Sequence, residues 1–92
     1  MSTWTLLTHH SHVLLEVAKK PDATVQQLAD EVGISTRSTV TILGDLAATG
    51  YLERERRGRR NHYVVVPSQP LRHPSNAGHT VGELIAALAE LR

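Results

Sequence analysis

The stretch Thr24–Gly50, TVQQLADEVGISTRSTVTILGDLAATG, decides the fold, because it carries two helical patterns separated by a Gly-Ile-Ser corner. Thr24 and Gln27 have the spacing of a capping box, in which each side chain satisfies a free backbone N–H of the first helical turn. Val25, Leu28, Ala29 and Val32 then fall at i, i+3, i+4 and i+7. That spacing predicts a helix with one apolar face and leaves Gln26, Gln27, Asp30 and Glu31 outside. Gly33 ends it, since a left-handed cap costs glycine no Cβ clash. Ser35 is a good N-cap for a second helix running to about Thr49, with Gly50 as terminator. Thr39, Ile42, Leu43 and Leu46 share one face of that helix, and Thr36, Arg37, Val40, Thr41, Gly44 and Asp45 lie on or near the other. A competing phase would bury Val40, Leu43 and Ala47, and helix propensity does not choose between the two.

Upstream, Thr8 to Lys20 has helical character, closing with two lysines that suit the negative end of the helix dipole and with Pro21, which bars continuation. Val13, Leu14, Leu15, Val17 and Ala18 make a stripe too wide for a single buried face, which predicts the core on one side and a partner helix on the other. Residues 1–7 are a lead-in whose Trp4, Leu6 and Leu7 can pack back onto the body. Downstream, Tyr51–Arg57 and Asn61–Val66 have strand character and join around Gly58 as a hairpin. Pro67 to His79, with Pro70 and Pro74 inside it, reads as a loop or tether. Thr80 and Glu83 repeat the capping-box spacing, and Val81, Leu84, Ile85, Leu88 and Leu91 trace the stripe of a closing helix, expected to pack on the first helix of its own or a second subunit. The predicted organisation is a unit at 1–66, a tether at 67–79 and a helix at 80–92 that serves dimerisation.

Ninety-two residues with 40% apolar and 21% charged content make one small domain, not a disordered chain. Only three aromatic residues, none of them Phe, are available to fill its core, so a homodimer is expected. The absence of cysteine excludes disulfides and thiolate metal sites and is compatible with a reducing cytosol. No apolar run approaches the roughly 20 residues that span a bilayer, and the N-terminus lacks the order of a signal peptide, so the expected location is cytoplasmic with no membrane partner. The net charge is only +1, yet Arg54, Arg56, Arg57, Arg59 and Arg60 put half of the ten Lys and Arg side chains into one short segment.

Two helices meeting at a corner need a small residue where they cross and apolar anchors that fix the angle, and Ala29, Gly33, Ile34 and Ile42 sit at suitable spacings. The second helix, 36–49, would then offer its N-terminal residues to a DNA major groove. Arg37 can donate a bidentate pair to a guanine edge, Thr36, Ser38 and Thr41 can bond a base or phosphate, and Val40 can touch a thymine methyl. The bland alternative is that these residues are the solvated side of an amphipathic helix. The hairpin segment 54–61 favours the first reading: a tip with Arg57, Arg59 and Arg60, followed by Asn61 and His62, accumulates like charge that a polyanion would offset by phosphate or minor-groove contact. Glu53 and Glu55 can also pair with Arg54 and Arg56 across or along the ribbon.

The segments QQLADEVGIS, STRSTVTILGDLAATGYL and LERERRGRRNHYVV, together covering most of Thr8–Val66, resemble the winged helix-turn-helix transcriptional regulators of the MarR and ArsR type. The tail PLRHP with the helix TVGELIAALAEL is similar to that of small stand-alone bacterial and archaeal members. The resemblance implies a mainly α fold with a β-hairpin wing: a three-helix core, a two- to three-stranded wing and a C-terminal helix. It implies a homodimeric repressor or activator of double-stranded DNA, with contacts at Thr36, Arg37, Ser38, Val40 and Thr41 in the helix and at Arg57, Arg59 and Arg60 in the wing, beside Asn61.

ArsR-type relatives include metal sensors, which draws attention to His9, His10 and His12 at the start of the first helix and to His73 and His79 in the tether, with Glu83 four residues beyond His79. Against a metal stand the absence of cysteine and of any H-x-x-x-H pair, so no metal or other cofactor is expected. No nucleophile elbow, phosphate-binding loop or dinucleotide fingerprint is present, and the carboxylates belong to helix surfaces and the ribbon, so the chain does not read as an enzyme. The alternatives to specific DNA binding are a winged helix used as a protein-interaction module and a histidine-based metal-responsive regulator. No effector pocket is legible.

Overall fold

The computed structural model describes residues 4–88, in which four helices and one hairpin are arranged in the predicted order. Helix α1 (His9–Lys19) is capped by Thr8, whose hydroxyl accepts from Ser11 N. Helix α2 (Val25–Val32) opens with the full capping box, Gln27 N donating to Thr24 Oγ1 at 3.1 Å and Thr24 N to Gln27 Oε1 at 2.8 Å. Gly33 closes it at φ +82°, where Gly33 N and Ile34 N both donate to Ala29 O. Helix α3 (Thr36–Thr49) follows, and strands β1 (Leu52–Arg57) and β2 (Arg60–Val65) form the hairpin. A short 3-10 turn at Pro74–Asn76 and helix α4 (Val81–Leu88) complete the described chain. Leu91, the last residue of the expected closing stripe, lies outside it.

The core is one cluster in which Val13, Leu14, Leu15 and Val17 of α1 meet Leu28 of α2, Ile42, Leu43 and Leu46 of α3, Leu52 of β1, and Val81 and Ile85 of α4. The breadth of the α1 stripe is thereby explained within one chain, because α1 packs against α2, α3, β2 and α4. The partner helix anticipated for its second side is the chain's own α4. The wing has two strands among the described residues, at the lower end of the expected range.

The segment between the hairpin and α4 is a loop pinned along its length. Leu71 N donates to His79 O, Val81 N to Gln69 O and Gly82 N to Pro67 O, at 2.9–3.0 Å, while Pro70 and Thr80 form an isolated bridge. Leu71 packs on the core, and the Tyr51 hydroxyl accepts from Arg72 N at 2.7 Å. These bonds bring α4 back against α1.

Candidate nucleic-acid interface

The phase of α3 is set by its buried row. Thr39, Ile42, Leu43 and Leu46 are buried, and Val40 is 56% exposed, so the competing phase is not the one adopted. Burying Thr39 costs no orphaned hydroxyl, because its Oγ1 donates to Ser35 O at 2.9 Å, one turn back in the same helix. Leu43 belongs to both candidate phases and does not discriminate. The satisfied threonine does.

That packing leaves Thr36, Arg37, Ser38, Val40 and Thr41 all exposed on the first turns of α3. Ser35 caps the helix by accepting from Ser38 N at 3.0 Å and donates its own proton to Ser38 Oγ at 3.0 Å. Ser38 therefore retains its hydroxyl proton as a donor to solvent or ligand. Thr41 Oγ1 donates to Arg37 O at 3.2 Å, which orients its lone pairs and methyl group. Arg37 has no ion-pair or hydrogen-bond partner among the described residues, so its planar fork of donors is uncommitted. The face combines one bidentate donor, one hydroxyl donor, one hydroxyl acceptor and one apolar knob, which is the repertoire that reads base edges.

In the hairpin, Leu52 pairs with Val65 at the buried root, and the register runs to Arg57 opposite Arg60 at the tip. A two-residue turn joins the strands, with Gly58 at φ +61°. The expected pairing of Glu53 and Glu55 with Arg54 and Arg56 is not what the register allows. Neighbours along a strand point to opposite faces, so Glu55 instead meets Arg57, two residues on, at 3.4 Å. Arg56 Nε donates to Gly58 O, and Arg60 Nη2 donates to Asp22 O in the α1–α2 turn at 3.2 Å. Arg59 and Arg54 have no partner among the described residues. Two arginines directly opposed across a ladder repel; Glu55 pairs with Arg57, and Arg60 is relieved by the Asp22 carbonyl. Asn61, opposite Arg56, is exposed.

The histidines are dispersed. His10 Nε2 lies 2.8 Å from Asp45 Oδ2 and ties the start of α1 to α3, His73 Nδ1 accepts from Ser75 N, and His79 Nδ1 lies 2.7 Å from Glu83 Oε2. No group of three or more His, Asp or Glu side chains gathers as a metal site among the described residues. Two features escaped the sequence reading. One is the Asp22–Arg60 contact, between residues 38 apart with no local signal. The other is an open groove of about 860 Å³ beneath the 67–79 loop, with Leu14, Leu46, Leu71 and Leu84 in its walls and His10 and Arg72 at its edge. It exists because the loop folds back, which composition does not announce.

Three helices, a glycine corner, an exposed second helix and a two-stranded arginine wing define a winged helix-turn-helix. The family model for the MarR family matches residues 4–60, more than half of the sequence. The chain belongs to the MarR family, as a winged-helix transcriptional regulator. The family is one of regulators rather than enzymes. A comparison with curated proteins gives no match. Among the described residues no helix is long and apolar enough to cross a membrane.

Proposed function

We propose that the chain is a sequence-specific, double-stranded DNA-binding regulator that acts as a homodimer. In this reading α3 enters the major groove through Thr36, Arg37, Ser38, Val40 and Thr41. The wing lies along the phosphate backbone or minor groove through Arg57, Arg59 and Asn61, with Arg60 beside them bonded to Asp22 O. The observation that carries it is the division of α3 into a buried row and an exposed face with an uncommitted Arg37, backed by a hairpin whose tip opposes two arginines. Support for a pair comes from apolar surface left over after the single-chain core is complete: Trp4 and Leu6 are 74% and 88% exposed, and Val64 and Leu88 are also exposed. The proposed cellular setting is a prokaryotic cytoplasm.

Selection from a random duplex library should enrich an inverted repeat. Against that site, Arg37→Ala should cost about 1–3 kcal/mol, concentrated at one base position, whereas Arg59→Ala should weaken all sequences alike. Equal losses on selected and random duplexes for both variants would remove Arg37 from base readout. No enrichment even at low salt would sink the DNA-binding reading itself.

A further inference from the structure

An isolated two-stranded hairpin is marginally stable in water, and this one is exposed over most of its length beyond Leu52. Something besides its own turn must set its direction. Leu52, Tyr63 and Val65 anchor its root to the core, and nearer the tip the structure supplies two polar contacts, both to Asp22. Arg60 Nη2 donates to Asp22 O at 3.2 Å, and His62 Nδ1 lies 3.5 Å from Asp22 Oδ1. Arg60 and His62 are two residues apart on β2, so their side chains leave the same face of the ribbon and converge on one residue of the α1–α2 turn. The His62 side chain is only 13% exposed. Asp22 itself is placed by core elements: Pro21 restricts the chain before it, Ala23 N donates to Lys20 O, and the Thr24 capping box begins α2 two residues later.

We propose that Asp22, Arg60 and His62 form a clasp that fixes the angle of the wing against the helix-turn-helix, and that Arg60 is a positioning residue, not a phosphate contact. The inference rests on the DNA-binding reading above for its consequence, though not for its geometry. A guanidinium turned back onto the Asp22 carbonyl carries its charge toward the turn and toward the neighbouring carboxylate. Arg59, at the turn between the strands with no protein partner among the described residues, carries its charge outward. Two arginines adjacent in sequence thus divide the work, one aiming the ribbon and one meeting the polyanion.

The test has two readouts on the full chain. Without DNA, amide hydrogen exchange over residues 54–63 should quicken about threefold in Arg60→Gln, as expected for loss of one solvent-exposed hydrogen bond, quicken also in His62→Gln, and stay unchanged in Arg59→Gln. Unchanged exchange in Arg60→Gln overturns the clasp. With a duplex, Arg59→Gln should lower the slope of log affinity against log salt by about 0.9 per protomer, about 1.8 for the dimer, while Arg60→Gln weakens binding several-fold and leaves the slope as in the parent. If Arg60→Gln lowers the slope as Arg59→Gln does, its guanidinium neutralises a phosphate and the positioning role is wrong. Should the parent bind no duplex at all, the DNA-binding reading fails, and the exchange measurement still decides the clasp.

Discussion

The helix-turn-helix at 24–50 and the closing segment at 67–88 each contain a helix opened by a Thr-x-x-Gln or Thr-x-x-Glu box, yet they are held by different means. In the first, side chains do the positioning: Leu28 and Ala29 of α2 and four residues of α3 are buried, and glycine caps stop both helices. In the second, Val81 and Ile85 are the buried residues of α4 among the described ones, and the segment is located by backbone bonds from Leu71 to His79, Val81 to Gln69 and Gly82 to Pro67, all within the loop and the first turn of the helix. Residue type fixes one region and chain path fixes the other. The same substitution should therefore have opposite consequences in the two.

Gly82→Ala should break the closing segment. A helical alanine normally gains up to about 1 kcal/mol over glycine. Here a Cβ on Gly82 would stand 2.9 Å from both Pro67 Cβ and Pro67 O, and the latter is backbone that cannot move without releasing the Gly82 N–Pro67 O bond. The expected outcome is a loss of about 1–3 kcal/mol in denaturant unfolding, in the range of other overpacked sites. A gain in stability would show that the loop gives way freely, and that the backbone bonds do not locate α4.

Gly44→Ala, inside α3, should do the reverse. Nothing lies within 4 Å of the Cβ position there, and the backbone is ordinary right-handed helix. The variant should gain about 1 kcal/mol. For a domain of this size that is a rise of roughly 4–8 °C in Tm. Absence of a gain would mean that the buried row does not hold α3 in regular helix at position 44.

The same contrast explains what was legible in the sequence. The capping box at Thr24, the glycine stops at 33 and 50, the inner row of α3 and the hairpin about Gly58 are local patterns with local physical causes, and the structure has each of them. Periodicity offered the adopted phase of α3 but left a competing one open, because Val40 and Thr39 have similar size and shape and differ by a hydroxyl whose partner, Ser35 O, exists only once the helix has formed. The Asp22 clasp and the path of the 67–79 loop were not legible, since both depend on pairs far apart in the chain. Of the candidate DNA face, the α3 residues could be picked from periodicity. The division between Arg59 and Arg60 needed coordinates.

The smallest expected effect separates the two boxes by chemistry instead of packing. Gln27 closes the α2 box with a neutral amide, whereas Glu83 closes the α4 box with a carboxylate that also accepts from Thr80 N and lies 2.7 Å from His79 Nδ1. The His79 hydrogen bond is the main reason the Glu83 carboxyl is held below the usual carboxylate range. A folded-state pKa below the unfolded one means that the group contributes stability at pH values above its unfolded pKa, and that this contribution is lost as pH falls through the folded value. Glu83→Gln should therefore be slightly less stable than the parent near neutrality, and the two unfolding curves should converge in acid, where the parent carboxylate takes up its proton. Because Glu83 is exposed, solvent screening keeps the difference small. A difference that persists unchanged into acid would show that the box is held by shape alone. In that case α4 would be capped as α2 is, and charge would no longer distinguish the two boxes.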